Sequence, residues 1–489
     1  METIVGSPAG RYRGVHIDGV HAFLGIRYGD LVGRFRPAVR SPRTSEVVDC
    51  LAYGPIAMQF DARLVSTATS SGVASLYFPH GGQQTEGRPM SEDCLTLNVW
   101  TPATDRQSRL PVIVWVHGGA FRAGASAATV TYGAQLAATG RAVVVSVTHR
   151  LGLFGFLGLG QRLGDDYALS GVAGITDLVL ALEWVAENIE SFGGDPGSVT
   201  VMGQSGGGTK VTALLAVPRA RELLSRAIVM SAAGLERAPE VSNVQTDEIL
   251  AAMGVRDARE LLDWPAARLV DAQRFVSAMG IGPVLVSDGM FIDESRREEL
   301  SADRALLVGH TSHDWSFFVA DQPWYREADD MPEHDLFEAA GIAPDEGAAY
   351  RRVFPRESAR LVCARILTDR SFGAVAAALA DEYAYLETET YRYEFAYETD
   401  AWPVPLGATH CVEIPFVFMT TEWARIAGCR PDRSALAAQV SGAWLDFAAS
   451  RVPRTPSGDW PRYRRDGELV MRINTDHWQS FDGRLPATS

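Results

Sequence analysis

The sequence is poor in cysteine. It has five in 489 residues, at positions 50, 94, 363, 411 and 429. The number is odd, the spacing is wide, and there is no Cys-x-x-Cys pair or Cys/His cluster. That argues against a structural zinc site and for a reducing, cytoplasmic setting. Basic charge is also short: 45 Lys and Arg face 60 Asp and Glu, a net charge of −15. Neutralising phosphates needs clustered Lys and Arg, so nucleic acid and anionic membranes are not expected partners. No stretch approaches the roughly 18 apolar residues of a membrane span. The N-terminus, Met1–Pro8, has neither the basic segment nor the apolar core of a signal peptide. Internal repeats, heptads and Pro/Gly/Ser-rich linkers are missing as well. This predicts one domain over 1–489, monomeric or in a small homo-oligomer. With 46% hydrophobic and 21% charged residues, the composition is that of a globular protein with a large core.

What is present is an α/β alternation beginning near residue 95. Leu95–Trp100 alternates like a strand. Pro111–Val116 and Ala142–Val147 are continuous apolar runs, as in strands buried on both faces, and Ser198–Met202 and Ala227–Met230 read as the next two strands. Between Gly174 and Phe192, the positions Ile175, Leu178, Leu182, Val185 and Ile189 step by three and four, which predicts an amphipathic helix. Two later strands are expected at Ala305–Val308 and Tyr391–Phe395. The fold class expected is α/β: a mostly parallel central sheet with helices on both faces. Residues 4–60 read as short strands and turns. Residues 61–92 read as a long surface loop, and 235–280 and 321–385 as helical cap insertions.

The organising stretch is Val199–Val211. A β-branched run ends at Gly203, Gly203–Gly207 fits G-x-S-x-G, and a helix follows. Strand, tight turn and helix together form a nucleophile elbow with Ser205 at its tip. Acyl transfer through serine also needs a base, a carboxylate that orients the base, and donors for the oxyanion. In this arrangement the order is serine, acid, histidine. Asp314 follows the strand at 305–308 and is the candidate acid; Asp288, in Ser287–Gly289, reads better as a turn residue. Of His310, His313, His334, His410 and His477, His410 best follows a late strand and is the candidate base. His313 reads as a surface or turn histidine. The run Pro111–Val116 leads into His117–Phe121, whose adjacent glycines allow amides to converge. The oxyanion donors expected are Gly118, Gly119 and Gly206.

These residues together resemble the type-B carboxylesterases, the cholinesterase-like branch of the α/β-hydrolases. The resemblance runs from about Gly14 to Phe481. Its markers are Phe23–Tyr28, Ser91–Val99, His117–Phe121, Arg150–Phe156, Ala181–Val185, Asn188–Ile189 with Phe192–Pro196, the elbow, and His410 with Glu413–Phe418. It implies the α/β-hydrolase fold and carboxylic-ester hydrolysis by Ser205, His410 and Asp314, with a small-molecule ester as substrate and no metal or organic cofactor. It suggests a bacterial type. Several positions depart from the family. Gln204 and Gly206 replace a usual Glu and Ala, which weakens any case for cationic esters. Asp314 stands where Glu is common. Animal members pair the cysteine at position 94 with one upstream; here the matching stretch offers Ala57, so that disulfide is expected to be absent. Lys210 replaces a small residue and is expected to reach solvent with its long stem. Two other classes stay open: a tailoring enzyme using the same residues on lactones, amides or cyclisations, and a non-catalytic binding protein on this fold.

Overall fold

The apolar runs become the middle of a 13-stranded sheet. The computed structural model describes residues 1–60, 72–77, 88–235, 239–282, 285, 291–293, 303–467, 469–475 and 478–482. Its strands are β1 (Glu2–Ser7), β2 (Gly10–Ile17), β3 (Val20–Arg27), β4 (Val47–Asp49), β5 (Thr96–Thr101), β6 (Leu110–Val116), β7 (Val143–Val147), β8 (Gly194–Gln204), β9 (Arg226–Met230), β10 (Ala305–Thr311), β11 (Thr390–Phe395), β12 (Leu469–Ile473) and β13 (Trp478–Asp482). They are ordered β1-β2-β3-β5-β7-β6-β8-β9-β10-β11-β12-β13, with β4 on β2. From β7 to β12 every neighbouring pair is parallel. The antiparallel pairings gather at the edges, among β1, β2, β3, β5 and β7 and between β12 and β13.

The alternation within β6 shows how the sheet is covered. Val112, Val114 and Val116 face one core cluster, together with α1 (Ala173–Asn188) and α2 (Gly206–Leu214). Ile113 and Trp115 face the other, with Leu436, Val440, Trp444 and Phe447 of α3 (Arg433–Ser450). Successive strand side chains point to opposite faces, so a strand buried on both faces reads as an unbroken apolar run. The expected helix over 174–192 is α1 followed by a 3₁₀ turn, Ile189–Phe192, and it ends at Gly193 with φ +79°. The run Asp165–Phe192 is, by length and composition, apolar enough to cross a bilayer, contrary to the reading of the sequence. Here 72% of its most apolar window is buried inside the protein.

The helical insertions carry small clusters of their own. Helices Pro239–Ala252 and Ala266–Ala278 contribute to a group with Phe35, Leu153 and Phe154. Helices Glu333–Ala339, Pro344–Val353 and Ala359–Thr368 share another around Phe337 and Ile366. Of the expected loop at 61–92, residues 61–71 and 78–87 lie outside the described residues, and Ala74–Tyr77 form one short helical turn. Strands β12 and β13 were not anticipated. β13 is an edge strand with largely exposed residues, and such a strand needs no apolar run.

The order of the sheet positions the site. β6 precedes both neighbours in the chain, yet lies between β7 on one side and β8 on the other. Loops leaving the carboxyl ends of β6 and β8 diverge there, and a crevice at such a switch point is where open α/β sheets bind ligands.

Candidate active site

Ser205 is the single residue between β8 and α2. Its backbone sits at φ 57°, ψ −129°, a region non-glycine residues rarely occupy. Such strain costs on the order of 1–3 kcal/mol and must be held by the surroundings. The holding contacts are visible. The Ser205 N–H donates to the carbonyl of Met230 at the end of β9 (2.9 Å), and the Ser205 carbonyl accepts from Thr209 N–H (3.0 Å). A Cβ on Gly203 would lie 2.5 Å from the Gly207 carbonyl carbon, and one on Gly207 would lie 2.2 Å from the Val116 oxygen. Glycine at both positions is therefore a steric requirement of the turn.

Asp314 lies three residues past β10 and His410 on the loop after β11. Both are buried, and His410 Nδ1 is 2.5 Å from Asp314 Oδ1. The other carboxylate oxygen, Oδ2, accepts from Thr311 N–H (3.0 Å) and the Ser231 hydroxyl (3.1 Å). The two loops are tied together by His313. Its N–H donates to the Ala408 carbonyl (3.0 Å). It also forms an isolated parallel bridge with Thr409, and Ser316 donates to Thr409 Oγ1 (2.8 Å). His313 is thus 1% exposed, not a surface histidine. Asp288 and His477 lie outside the described residues; His334 is exposed beside Asp335.

Gln204 and three phenylalanines enclose the imidazole. Gln204 Nε2 lies 3.4 and 3.3 Å from Nδ1 and Nε2 of His410, and Gln204 Oε1 accepts from the Cys411 thiol (3.4 Å). The rings of Phe317, Phe318 and Phe372 lie 5.7, 5.1 and 5.0 Å from that of His410. Phe372 belongs to a π-helical turn, Asp369–Gly373, a device often found at functional sites. Glu413, three residues beyond His410, is completely buried. Burial first, and then the Asp314 carboxylate, push its carboxyl well above the usual carboxylate range.

The turn after β6 lies against the elbow. A Cβ on Gly118 would be 2.7 Å from the Gln204 carbonyl oxygen and 3.3 Å from Ser205 Cβ. Gly119, Ala120 and Phe121 follow with φ +98°, +51° and +62°. A Cβ on Gly119 would lie 2.0 Å from the Ala123 oxygen. The position a Gly206 Cβ would take is 3.1 Å from the Ala120 nitrogen. Among the described residues, the amides of Gly118, Gly119, Ala120 and Gly206 donate to no carbonyl or side chain. Free amides converging at a helix N-terminus form a concavity suited to negative charge. Ala120 was missed from sequence because its left-handed backbone is not one alanine advertises.

Behind this turn is a buried basic group. Lys210 is 0% exposed, so it does not reach solvent as expected. Its Nζ donates to the His117 carbonyl (3.1 Å), and burial brings its ammonium down to about 7. His117 is brought down to about 3, by burial and then by Lys210. His149 is also lowered, by burial, Lys210 and His117. All five cysteines carry free thiols, and four of them are buried, Cys94 included.

Comparison with known proteins agrees with this architecture. Residues 1–484 match the model of the carboxylesterase family. The chain is 31% identical to the para-nitrobenzyl esterase of Bacillus subtilis, over 97% of this chain and 95% of that protein. It is 32% identical to the phenmedipham hydrolase of Pseudarthrobacter oxydans, with the same coverage of 97% and 95%. A crystal structure of the Geobacillus stearothermophilus carboxylesterase EST55 superposes with a TM-score of 0.81 at 32% identity, covering 98% of each chain. The whole chain therefore follows one family in sequence and in α/β-hydrolase fold: it belongs to the carboxylesterases and is a carboxylic-ester hydrolase.

Proposed function

We propose that Ser205 is the nucleophile, His410 the general base and Asp314 the carboxylate that orients it, acting on an uncharged ester through an acyl-enzyme. The observation that carries this reading is the buried 2.5 Å contact between His410 and Asp314, on loops opening at the same end of the sheet as the strained Ser205. The Asp314 carboxylate accepts Nδ1–H and leaves Nε2 as the lone-pair nitrogen. Nε2 takes the hydroxyl proton as Ser205 Oγ attacks the ester carbon. The charge on the former carbonyl oxygen meets the amides of Gly118, Gly119 and Gly206, with Ala120 added to the expected set. Each such donor is worth roughly 3–4 kcal/mol in the transition state. The protonated imidazole then returns its proton to the leaving alcohol, and water repeats the sequence on the acyl-enzyme.

The preference for an uncharged ester rests on Gln204. It is an uncharged amide against His410, with Nε2 of the amide 3.3 Å from the imidazole Nε2. Gln204 offers a cationic substrate no carboxylate next to the nucleophile, and the phenyl rings beside His410 favour an apolar or aromatic group. The names of the two bacterial relatives, a para-nitrobenzyl esterase and a phenmedipham hydrolase, agree with such substrates. We also propose a cytoplasmic setting in a bacterial host, on the free thiols, and no nucleic-acid or membrane partner, on the net charge of −15.

The test is covalent labelling. A neutral organophosphate should add one equivalent to Ser205 by intact mass and peptide mapping, and Ser205→Ala should lower kcat by on the order of 10⁵–10⁶. Labelling at another serine, or normal turnover by the alanine variant, refutes the assignment. With a common acyl group, a neutral ester should exceed a choline ester in kcat/KM; the reverse order removes the argument from Gln204.

A further inference from the structure

The chain has 45 basic residues, and Lys210 is the only lysine among them. Every other basic position is arginine. This one lysine is completely buried on α2, five residues past Ser205. Its Nζ donates to the His117 carbonyl (3.1 Å) and stands 5.2 Å from the centre of the Phe121 ring. His117 and Phe121 are the first and last residues of the turn carrying the free amides. One side chain therefore grips both ends of that turn, from the helix that begins at the nucleophile.

The grip acts on the amides directly. The carbonyl of His117 and the N–H of Gly118 belong to one planar peptide, so a donor on the carbonyl fixes the direction of the amide. Among the described residues, Lys210 forms no ion pair, and its polar and ring contacts are those two alone. The ionisable groups that feel its charge are His117 at the end of β6 and His149 after β7, and His149 also feels Arg150. The Arg150 guanidinium is committed to Asp177 (2.6 Å). A buried amine with no carboxylate partner among the described residues costs stability, and an apolar side chain of similar size costs less. An arginine would bring a planar fork of five donors to a space that presents one carbonyl.

We propose that Lys210 is a positioning residue of the ester hydrolysis: through the His117 carbonyl and the Phe121 ring it sets the turn whose amides receive the oxyanion. This rests on the roles assigned above to Ser205 and the turn. It separates activity from stability, because the side chain that orients the turn is one the fold would hold more easily if it were apolar.

The experiment compares wild type with Lys210→Met. The variant should melt at or above the wild-type temperature, lose at least tenfold in kcat, and keep KM within about threefold. A trifluoromethyl ketone, which forms a charged tetrahedral adduct with the serine, should bind more weakly by the same factor as kcat falls. The matching alcohol, a ground-state ligand, should bind within about threefold of wild type. Turnover within threefold of wild type overturns the proposal. So does a lower melting temperature with kcat and KM impaired together, which is the mark of a merely structural role. Because the lysine is unique, protein labelled with ¹³Cε-lysine gives one side-chain signal. That signal should shift in wild type when the ketone adduct forms; an unmoved signal overturns the proposal even if Lys210→Met does not fold. If the reading of Ser205 is what fails, wild type itself takes no organophosphate and no ketone adduct. If only the Lys210 proposal fails, wild type is labelled normally and the variant turns over normally.

Discussion

Replacing Asp314 by asparagine removes one charge, and the structure dictates which way the new amide faces. Oδ2 accepts two hydrogen bonds, from Thr311 N–H (3.0 Å) and the Ser231 hydroxyl (3.1 Å). A backbone N–H cannot accept, so the amide oxygen of Asn must occupy the Oδ2 position. Its NH₂ group then points at His410 Nδ1, which in the wild type is 2.5 Å from Oδ1. Facing a donor, Nδ1 becomes the acceptor and the ring proton moves to Nε2. That is the tautomer that cannot take a proton from Ser205. The imidazolium also loses its countercharge at a residue with no solvent exposure. In other triads the same exchange costs about 10⁴ in kcat, or about 5.4 kcal/mol of barrier. The expected result is therefore a folded protein whose kcat on an activated phenyl ester is down by about 10⁴, with KM changed far less. The low-field proton resonance of the His–Asp pair should vanish with it. A variant within tenfold of wild type would show that His410 takes its tautomer from elsewhere, Gln204 being the nearest alternative, and would refute this account of Asp314.

Three further outcomes are expected. Gly119→Val introduces a Cβ where the Ala123 oxygen is 2.0 Å away and φ is +98°, so the turn must move; kcat should fall roughly 10²–10³ with melting little changed, and unchanged turnover would clear this turn of an oxyanion role. Acid should destabilise the fold through His117, whose ring titrates at about 3 in the folded protein against 6.5 for the free side chain. Between those values the unfolded chain holds a proton the folded one lacks, so stability is full above pH 6.5 and falls as pH drops. At pH 5 the loss is about 2 kcal/mol from this histidine, and His149 adds in the same direction; chemical denaturation at pH 7.5 and pH 5 measures it, and a His117→Gln variant should show a shallower pH slope. Under native, non-reducing conditions one thiol, that of the exposed Cys429, should react quickly and the four buried ones only on unfolding; fewer than five thiols after anaerobic unfolding would contradict the free-cysteine structure.

Much of the frame was legible because its strands are buried on both faces, and burial on both faces writes itself as unbroken apolar runs. β6 and β7 are read that way without a structure. The elbow was legible for a steric reason: Gly203 and Gly207 each face backbone atoms closer than a Cβ allows. Asp314 and His410 were found only by their order after strands, and the structure brings the two together. The groups that hold them were not legible. Ser231 and Thr311 reach Asp314 through contacts across separate strand ends, and nothing in their local sequence marks them. Residues 61–71 and 78–87 of the expected surface loop, and Asp288, the alternative acid, lie outside the described residues.

Lys210 shows where local reasoning turns the wrong way. A long charged side chain on a surface helix reaches solvent, and that rule predicted snorkelling. The rule presumes an exposed face, and α2 has none: all nine of its residues are buried, because it enters the molecule at Ser205 between the turn after β6 and the end of β9. A helix that must place its N-terminus beside a nucleophile inside the molecule's cleft, itself half-buried, cannot keep a solvent face at its first turns. Any charge on it is therefore held inside, against whatever backbone polar group is near, and for Lys210 that group is the carbonyl of His117. The burial that costs this lysine its proton affinity is thus a consequence of the same geometry that aims Ser205 off the end of the sheet.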